Sequence, residues 1–170
     1  MVPSAFSVPD ATIMLLGQTR PEFGGSLWAW LRHDHVGGRP PAVNLPAEQS
    51  LAEVLVTAGA QQLILAAHDL SDGGLGLALA EACLTGGYGC VITLPGDPAT
   101  FLFSESAARA IVLVRRAAEE SLARLCAAGG VPATQLGRTG GDVVEVAGQF
   151  SVTLAELGEV HRSALPGLFG

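Results

Sequence analysis

One segment of the chain combines residue types that could bind a ligand: His68–Leu75, with the sequence HDLSDGGL. It follows an apolar stretch, and its carboxylates, hydroxyl and paired glycines lead directly into a helical pattern. Backbone N–H groups at a helix start can bind an anion, and carboxylates beside them can hold a divalent cation. The candidate ligand-binding residues are Asp69, Ser71, Asp72, Gly73 and Gly74, with Asp72 as the candidate metal ligand. Alternatively, Ser71 or Asp72 caps the helix and the glycines permit a tight turn.

A second candidate segment is Ser104–Arg109, with the sequence SESAAR. A carboxylate between two hydroxyls, Glu105 between Ser104 and Ser106, suits hydrogen bonding to a sugar or an amide. The guanidinium of Arg109 could contact a phosphate. The alternative is a solvated turn in which Glu105 and Arg109 form a surface ion pair.

A third candidate is the glycine turn that ends at Ser26. Gly25 and Ser26 are candidate binding residues, although a hydroxyl in this position also suits a helix cap. No Ser-His-Asp or Cys-His arrangement can be argued from the spacing, so the sequence assigns no catalytic residue.

Composition excludes several classes of protein. The 170 residues carry a formal charge of −7, and all nine basic residues are arginine, which excludes lysine Schiff-base chemistry and a Walker-type lysine. An acidic chain is poorly suited to nucleic acid, and its apolar runs are too short to span a membrane. The three cysteines lack metal-ligand spacing and suggest buried thiols in a cytoplasmic protein.

The elements that must position these segments alternate between strand and helix patterns. Several strands follow one another at short spacing, which predicts an α+β fold with α/β/α layers and a mixed sheet flanked by helices. The first strand is not followed by a GxGxxG dinucleotide motif. We expect one domain over residues 1–170, with a flexible leader at 1–10.

The helix predicted from Leu75 to about Leu84 is apolar on almost every side, and Glu81 is its only charged residue. One apolar stripe covers only part of a helix circumference, so this helix must be buried on more than one side. The second layer is either another helix of this domain or a partner. The high apolar content of the chain, 49%, agrees with a surface that meets a partner.

Taken in order, several motifs resemble one known family. They are ATIMLLGQT at 11–19, EFGGS at 22–26, HDLSDGGL at 68–75, LFSES at 102–106 and LPG at 165–167. Together they are similar to the C-terminal region of the synthetase subunit of phosphoribosylformylglycinamidine synthase, a member of the aminoimidazole ribonucleotide synthetase-related superfamily. The resemblance covers the chain from about residue 11 to 170.

The resemblance implies an ATP- and Mg²⁺-dependent purine-biosynthesis enzyme. With ammonia from glutamine, it converts formylglycinamide ribonucleotide to the corresponding amidine. The family's catalytic histidine and most of its ATP and magnesium ligands have no counterpart here, so we expect a C-terminal fragment that is inactive alone. Its partners would be the missing N-terminal domains and a glutaminase subunit, with no nucleic acid and no membrane.

One position departs from the family pattern. The segment at 104–106 corresponds, through internal duplication, to a Ser-Glu-Ser-Gln motif that contacts substrate in the first half of the enzyme, but Ala107 stands at the glutamine position. This difference suits a duplicated cleft that holds a nucleotide structurally or holds nothing. The alternative interpretation of the whole chain is a stand-alone, non-catalytic nucleotide-binding or assembly domain of the same superfamily.

Overall fold

The computed structural model describes the backbone of residues 2–169 and the side chains of residues 2–163. The strands are β1 (Thr12–Leu16), β2 (Ile64–Asp69), β3 (Cys90–Ile92), β4 (Ala110–Val114), β5 (Ala133–Thr139), β6 (Val143–Val146) and β7 (Phe150–Thr153). The helices are α1 (Leu27–His33), α2 (Leu45–Ala60), α3 (Gly74–Gly86), α4 (Pro98–Phe103), α5 (Glu119–Ala128) and α6 (Leu154–Phe169). None of the helices in the described part is long and apolar enough to cross a membrane.

The strands form one mixed sheet in the order β2-β4-β1-β5-β3-β6-β7. Neighbouring strands are antiparallel, except that β3 and β6 run parallel. This arrangement, with helices against it, confirms the expected α+β class with a mixed, helix-flanked sheet. The central strands β1 and β4 have every residue buried.

Helices cover both faces of the sheet. Along β1, Ile13 and Leu15 join an apolar cluster with α3 and α4, whereas Met14 and Leu16 join a second cluster with α2 and α5. Successive side chains of a strand point to opposite faces, so a strand between two helical layers needs apolar residues at every position. This explains the apolar run from Ile13 to Leu16 and agrees with the expected α/β/α layers.

The start of the chain differs from the expected flexible leader at 1–10. In the described residues 2–10, Phe6 is fully buried and its backbone N–H donates to the carbonyl of Ala82 in α3 at 2.9 Å. Gly86 allows this approach, because a Cβ there would lie 2.1 Å from the Phe6 backbone. Pro3 also accepts a hydrogen bond from Ala67 of β2 at 2.9 Å. The segment lacks regular structure but packs as part of the domain.

Candidate functional site

The three candidate segments meet at one end of the sheet because of strand direction. β4 runs antiparallel to both β1 and β2, so that Ala110 at its start lies opposite Leu16 and Asp69 at their ends. The loops that leave β1 and β2 therefore lie beside the segment that enters β4. Residues 69–74 and 104–109 therefore lie next to each other, and Gly73 donates a hydrogen bond to Glu105.

Glu105 joins these segments. Its Oε1 accepts hydrogen bonds from the backbone N–H groups of Leu27 and Gly73, both at 2.8 Å. Leu27 is the first residue of α1 and Gly73 is the N-cap of α3, so one carboxylate lies at the starts of two helices. A negative charge is stabilised there by unpaired N–H groups and by the helix dipoles.

The two serine hydroxyls are turned inward. Ser104 and Ser106 are fully buried, and their Oγ atoms lie 2.9 Å apart. The Ser106 Oγ accepts from the Arg20 N–H at 3.0 Å, and both hydroxyls contact the Arg20 carbonyl. The structure therefore corrects the expectation that these hydroxyls face a sugar or an amide: they bind the chain's own backbone.

Arg109 is also committed to the protein and is only 3% exposed. Its guanidinium donates to the carbonyls of Ser104 and Ser106 and to the Thr19 Oγ1, the last at 3.1 Å. Burial lowers the pKa of Arg109 to about 10, although the carboxylates of Glu22 and Glu105 oppose the shift. Arg109 does not form the surface ion pair of the alternative, because it is buried. Its contact with a phosphate stays a prediction, and in this structure its guanidinium is bonded within the protein.

The paired glycines permit an internal contact. Gly73 and Gly74 have φ angles of +74° and +61°, and a Cβ on Gly74 would lie 2.4 Å from the Ser104 carbonyl oxygen. The Gly73 N–H is already bonded to Glu105. The glycines thus allow α3 to begin against Ser104, in agreement with the tight-turn alternative.

The remaining candidates divide between solvent and structural roles. Asp69, Ser71 and Asp72 are exposed. The N-cap of α3 is Gly73, which has no side chain, so neither Ser71 nor Asp72 caps this helix. Ser26 is 1% exposed and caps α1 by accepting from the Ala29 N–H at 3.1 Å. Its neighbour Gly25 is exposed.

The part of the chain that the structure describes contains no group of three or more His, Cys, Asp or Glu side chains that could hold a metal ion. Asp72 is therefore not part of such a group among the described residues. A single carboxylate is a weak ligand for Mg²⁺ unless waters, phosphates or other side chains complete the octahedron.

A cleft of about 560 Å³ opens between α2, the end of β2 and the segment 105–110. Of the residues predicted from sequence, Asp69, Glu105 and Arg109 line it. Glu48 lines it as well, and its Oε1 accepts from the Ala108 N–H at 2.8 Å. Sequence reasoning missed Glu48, because its partner lies 60 positions away in a turn that no local pattern indicates.

Glu22 is a second residue that sequence reasoning did not single out, although it begins the EFGGS motif. Its Oε1 accepts from the Ala42 N–H at 3.2 Å, and its Oε2 is buried without a partner among the described residues. Burial raises the pKa of Glu22, but Ser106, the Ala42 N–H and the charges of Arg20 and Arg109 outweigh it, so the pKa falls below its usual value. The carboxylate is thus ionised.

Residues 8–149 match the family model described as AIR synthase related protein, C-terminal domain. The chain belongs to this family. Over 99% of its length it is 51% identical to phosphoribosylformylglycinamidine synthase subunit PurL from Thermobifida fusca and from Mycobacteroides abscessus. It spans only 23% of the length of either relative. The resemblance read from the motifs is confirmed.

Solved structures show that the fold is shared. A Thermotoga maritima PurL complexed with FGAR matches with a TM-score of 0.78 and 20% identity, over 92% of this chain and 29% of that one. Thiamine-monophosphate kinase from Stenotrophomonas maltophilia matches with a TM-score of 0.59 and 20% identity, over 86% of this chain and 53% of that one. Proteins of different activity thus carry this domain, and its fold alone does not specify a reaction.

Proposed function

We propose that the chain is the C-terminal domain of a phosphoribosylformylglycinamidine synthase, acting in the ATP-dependent conversion of formylglycinamide ribonucleotide to its amidine with glutamine-derived ammonia. One observation carries the proposal: the chain is 51% identical, over 99% of its length, to a subunit of which it spans 23%. In this proposal the chain supplies a wall of the enzyme rather than its reacting groups.

The contacts of the candidate residues support this division of labour. Ser104, Ser106 and Arg109 are buried and bonded to the protein, and Glu105 holds two helix starts. Glu105 and Arg109 line the cleft, and the hydrogen bonds of all four side chains are directed to the protein itself. The ATP phosphates would therefore be held by other parts of the synthetase.

Mg²⁺ is expected for the whole enzyme. Among the described residues, Asp72 is exposed and no group of three or more side chains could hold the ion. Magnesium would thus be held by carboxylates outside this chain, together with the phosphates of ATP. The metal would neutralise phosphate charge, whereas this chain would supply cleft shape.

Two further parts of the proposal concern the surroundings of the enzyme. A glutaminase subunit would supply ammonia to the assembled synthetase, since free ammonia is otherwise scarce at neutral pH. A cytoplasmic location agrees with the three free, buried cysteines, because thiols stay reduced there.

Reconstitution tests the proposal. A T. fusca synthetase lacking its matching C-terminal region is mixed with this chain, and phosphate release is followed with formylglycinamide ribonucleotide, ATP, Mg²⁺ and ammonium. We expect no turnover from either polypeptide alone and turnover from the mixture. Turnover by this chain alone would contradict the proposal and favour an independent enzyme.

A further inference from the structure

An apolar groove of about 380 Å³ lies between α1, α3 and α4, and we call it the α1–α3 groove. Its apolar lining consists of Leu27, Trp28 and Leu31 from α1, Leu77 and Ala80 from α3, and Phe103 from α4. The ring of Trp28 stacks on that of Phe103 with centroids 6.5 Å apart. Arg32 is the only charged residue among the described residues that line the groove.

The groove exposes apolar side chains to solvent. Leu31 is 72% exposed and Leu77 is 38% exposed, and Trp30, on the same short helix, is 53% exposed. Leu75 and Leu79 of α3 are buried in the core, and α4 and α6 also pack against this helix. The domain itself therefore supplies part of the second covering layer that the sequence predicts, and Leu77 is left exposed.

We propose that the α1–α3 groove is the docking site for an apolar segment of the same synthetase polypeptide, outside these 170 residues, with a carboxylate opposite Arg32. The proposal rests on the proposed function. The relatives are about four times as long as this chain, since it spans 23% of them, so more than 500 further residues are expected to pack around it. The positive Arg32 at the rim selects an acidic side chain in the occupant.

The size of the groove disfavours a second copy of this chain as the occupant. A stable interface needs about 800 Å² from each partner, and even a large aromatic side chain offers only about 150–250 Å². Of the one tryptophan, one phenylalanine and three leucines that line the groove, only Leu31 and Leu77 are exposed, so the groove provides too little surface for a dimer. The net charge of −7 further opposes self-association.

The groove is connected to the cleft through Glu105. Leu27 and Gly73, whose N–H groups Glu105 binds, both line the groove, whereas Glu105 itself lines the cleft. A segment docked in the groove would thus rest on the two helix starts that this carboxylate holds. Docking and cleft shape are therefore expected to depend on each other.

The test uses the only two tryptophans of the chain, Trp28 and Trp30, which both lie on α1. Their emission and acrylamide quenching are measured as a tryptophan-free T. fusca synthetase lacking its C-terminal region is added. We expect a blue shift, reduced quenching and saturable binding.

Leu31→Glu is expected to weaken binding at least tenfold, and Leu77→Ser, on the opposite helix of the groove, should weaken it as well. Val56→Glu, at a residue of α2 that is 73% exposed, is the matched control and should bind as the original chain does.

Four results would overturn the inference. The first is binding without a change in tryptophan accessibility, and the second is an equal effect of Leu31→Glu and Val56→Glu on binding. The third is a lack of binding although circular dichroism shows a folded chain. The fourth is a blue shift that appears when this chain alone is concentrated, while light scattering reports a dimer.

Turnover is recorded in parallel. Turnover without protection of the tryptophans would reject docking in the groove and support the proposed function. Protection of the tryptophans without turnover would support docking in the groove and contradict the proposed function.

Discussion

The carboxylate of Glu105 provides the sharpest test of how the site is built. Glu105→Ala removes the acceptor of two backbone N–H groups, those of Leu27 and Gly73, each at 2.8 Å. A hydrogen bond to a charged group contributes about 1.5–3 kcal/mol. Because Glu105 is half-buried, water replaces part of the loss, and we expect the free energy of unfolding to fall by about 2–4 kcal/mol. Glu105→Gln keeps an acceptor without the charge and should lose about half as much.

Urea unfolding, followed by circular dichroism, measures this loss. With a slope of about 1–3 kcal/mol per M, Glu105→Ala should lower the midpoint by about 1 M or more. Glu53→Ala is the control, because Glu53 is exposed and accepts only from the Gln49 side chain on the same helix. That pair contributes less than about 0.5 kcal/mol. A Glu105→Ala chain as stable as the Glu53→Ala chain would refute the role given to this carboxylate.

Three further substitutions test other parts of the structure. The pKa of Glu22 is lowered in the folded chain, so the ionised carboxylate stabilises the fold above the ordinary glutamate value of 4.5, and this contribution is lost as the pH falls through the lower folded-state value. Glu22→Gln should therefore lose less stability than the original chain between pH 5 and 3. Parallel curves of the free energy of unfolding against pH would contradict this. Gly74→Ala combines backbone strain with a clash against Ser104, so it should lower the free energy of unfolding clearly more than Gly87→Ala. At Gly87 the Cβ meets open space, and the loss is about 1 kcal/mol. Equal losses would show that the turn at Gly74 can shift to accommodate the methyl group. Phe6→Ala should cost about 3–5 kcal/mol in urea unfolding, and a neutral result would restore the flexible leader.

Local sequence patterns predicted the layers of the fold. β1 is buried at every position and apolar from Ile13 to Leu16, because helices cover both of its faces, and this pattern is visible in the sequence. The sequence also indicates a helix cap at Ser26 and a tight turn at residues 73–74, because both features depend on residues that are close together in the chain. The motifs also identified the family.

Long-range partners could not be predicted from such patterns. The donors to Glu105 lie 32 and 78 positions away, and Arg109 reaches Thr19 across 90 positions. A guanidinium beside two hydroxyls suggests a phosphate site, but the same groups can equally bind backbone carbonyls, and only the fold decides between these. The packing of Phe6 was missed for a similar reason, since it depends on the absence of a side chain at Gly86.

The central claim is that this chain acts as the C-terminal domain of a synthetase, and a chimaera tests it most directly. The matching region of the T. fusca subunit is replaced by this chain, and kcat/KM for formylglycinamide ribonucleotide is measured with saturating ATP, Mg²⁺ and ammonium. At 51% identity over 99% of the chain, we predict a value within about tenfold of the parent enzyme. A folded chimaera that binds ATP but forms no amidine would contradict the account.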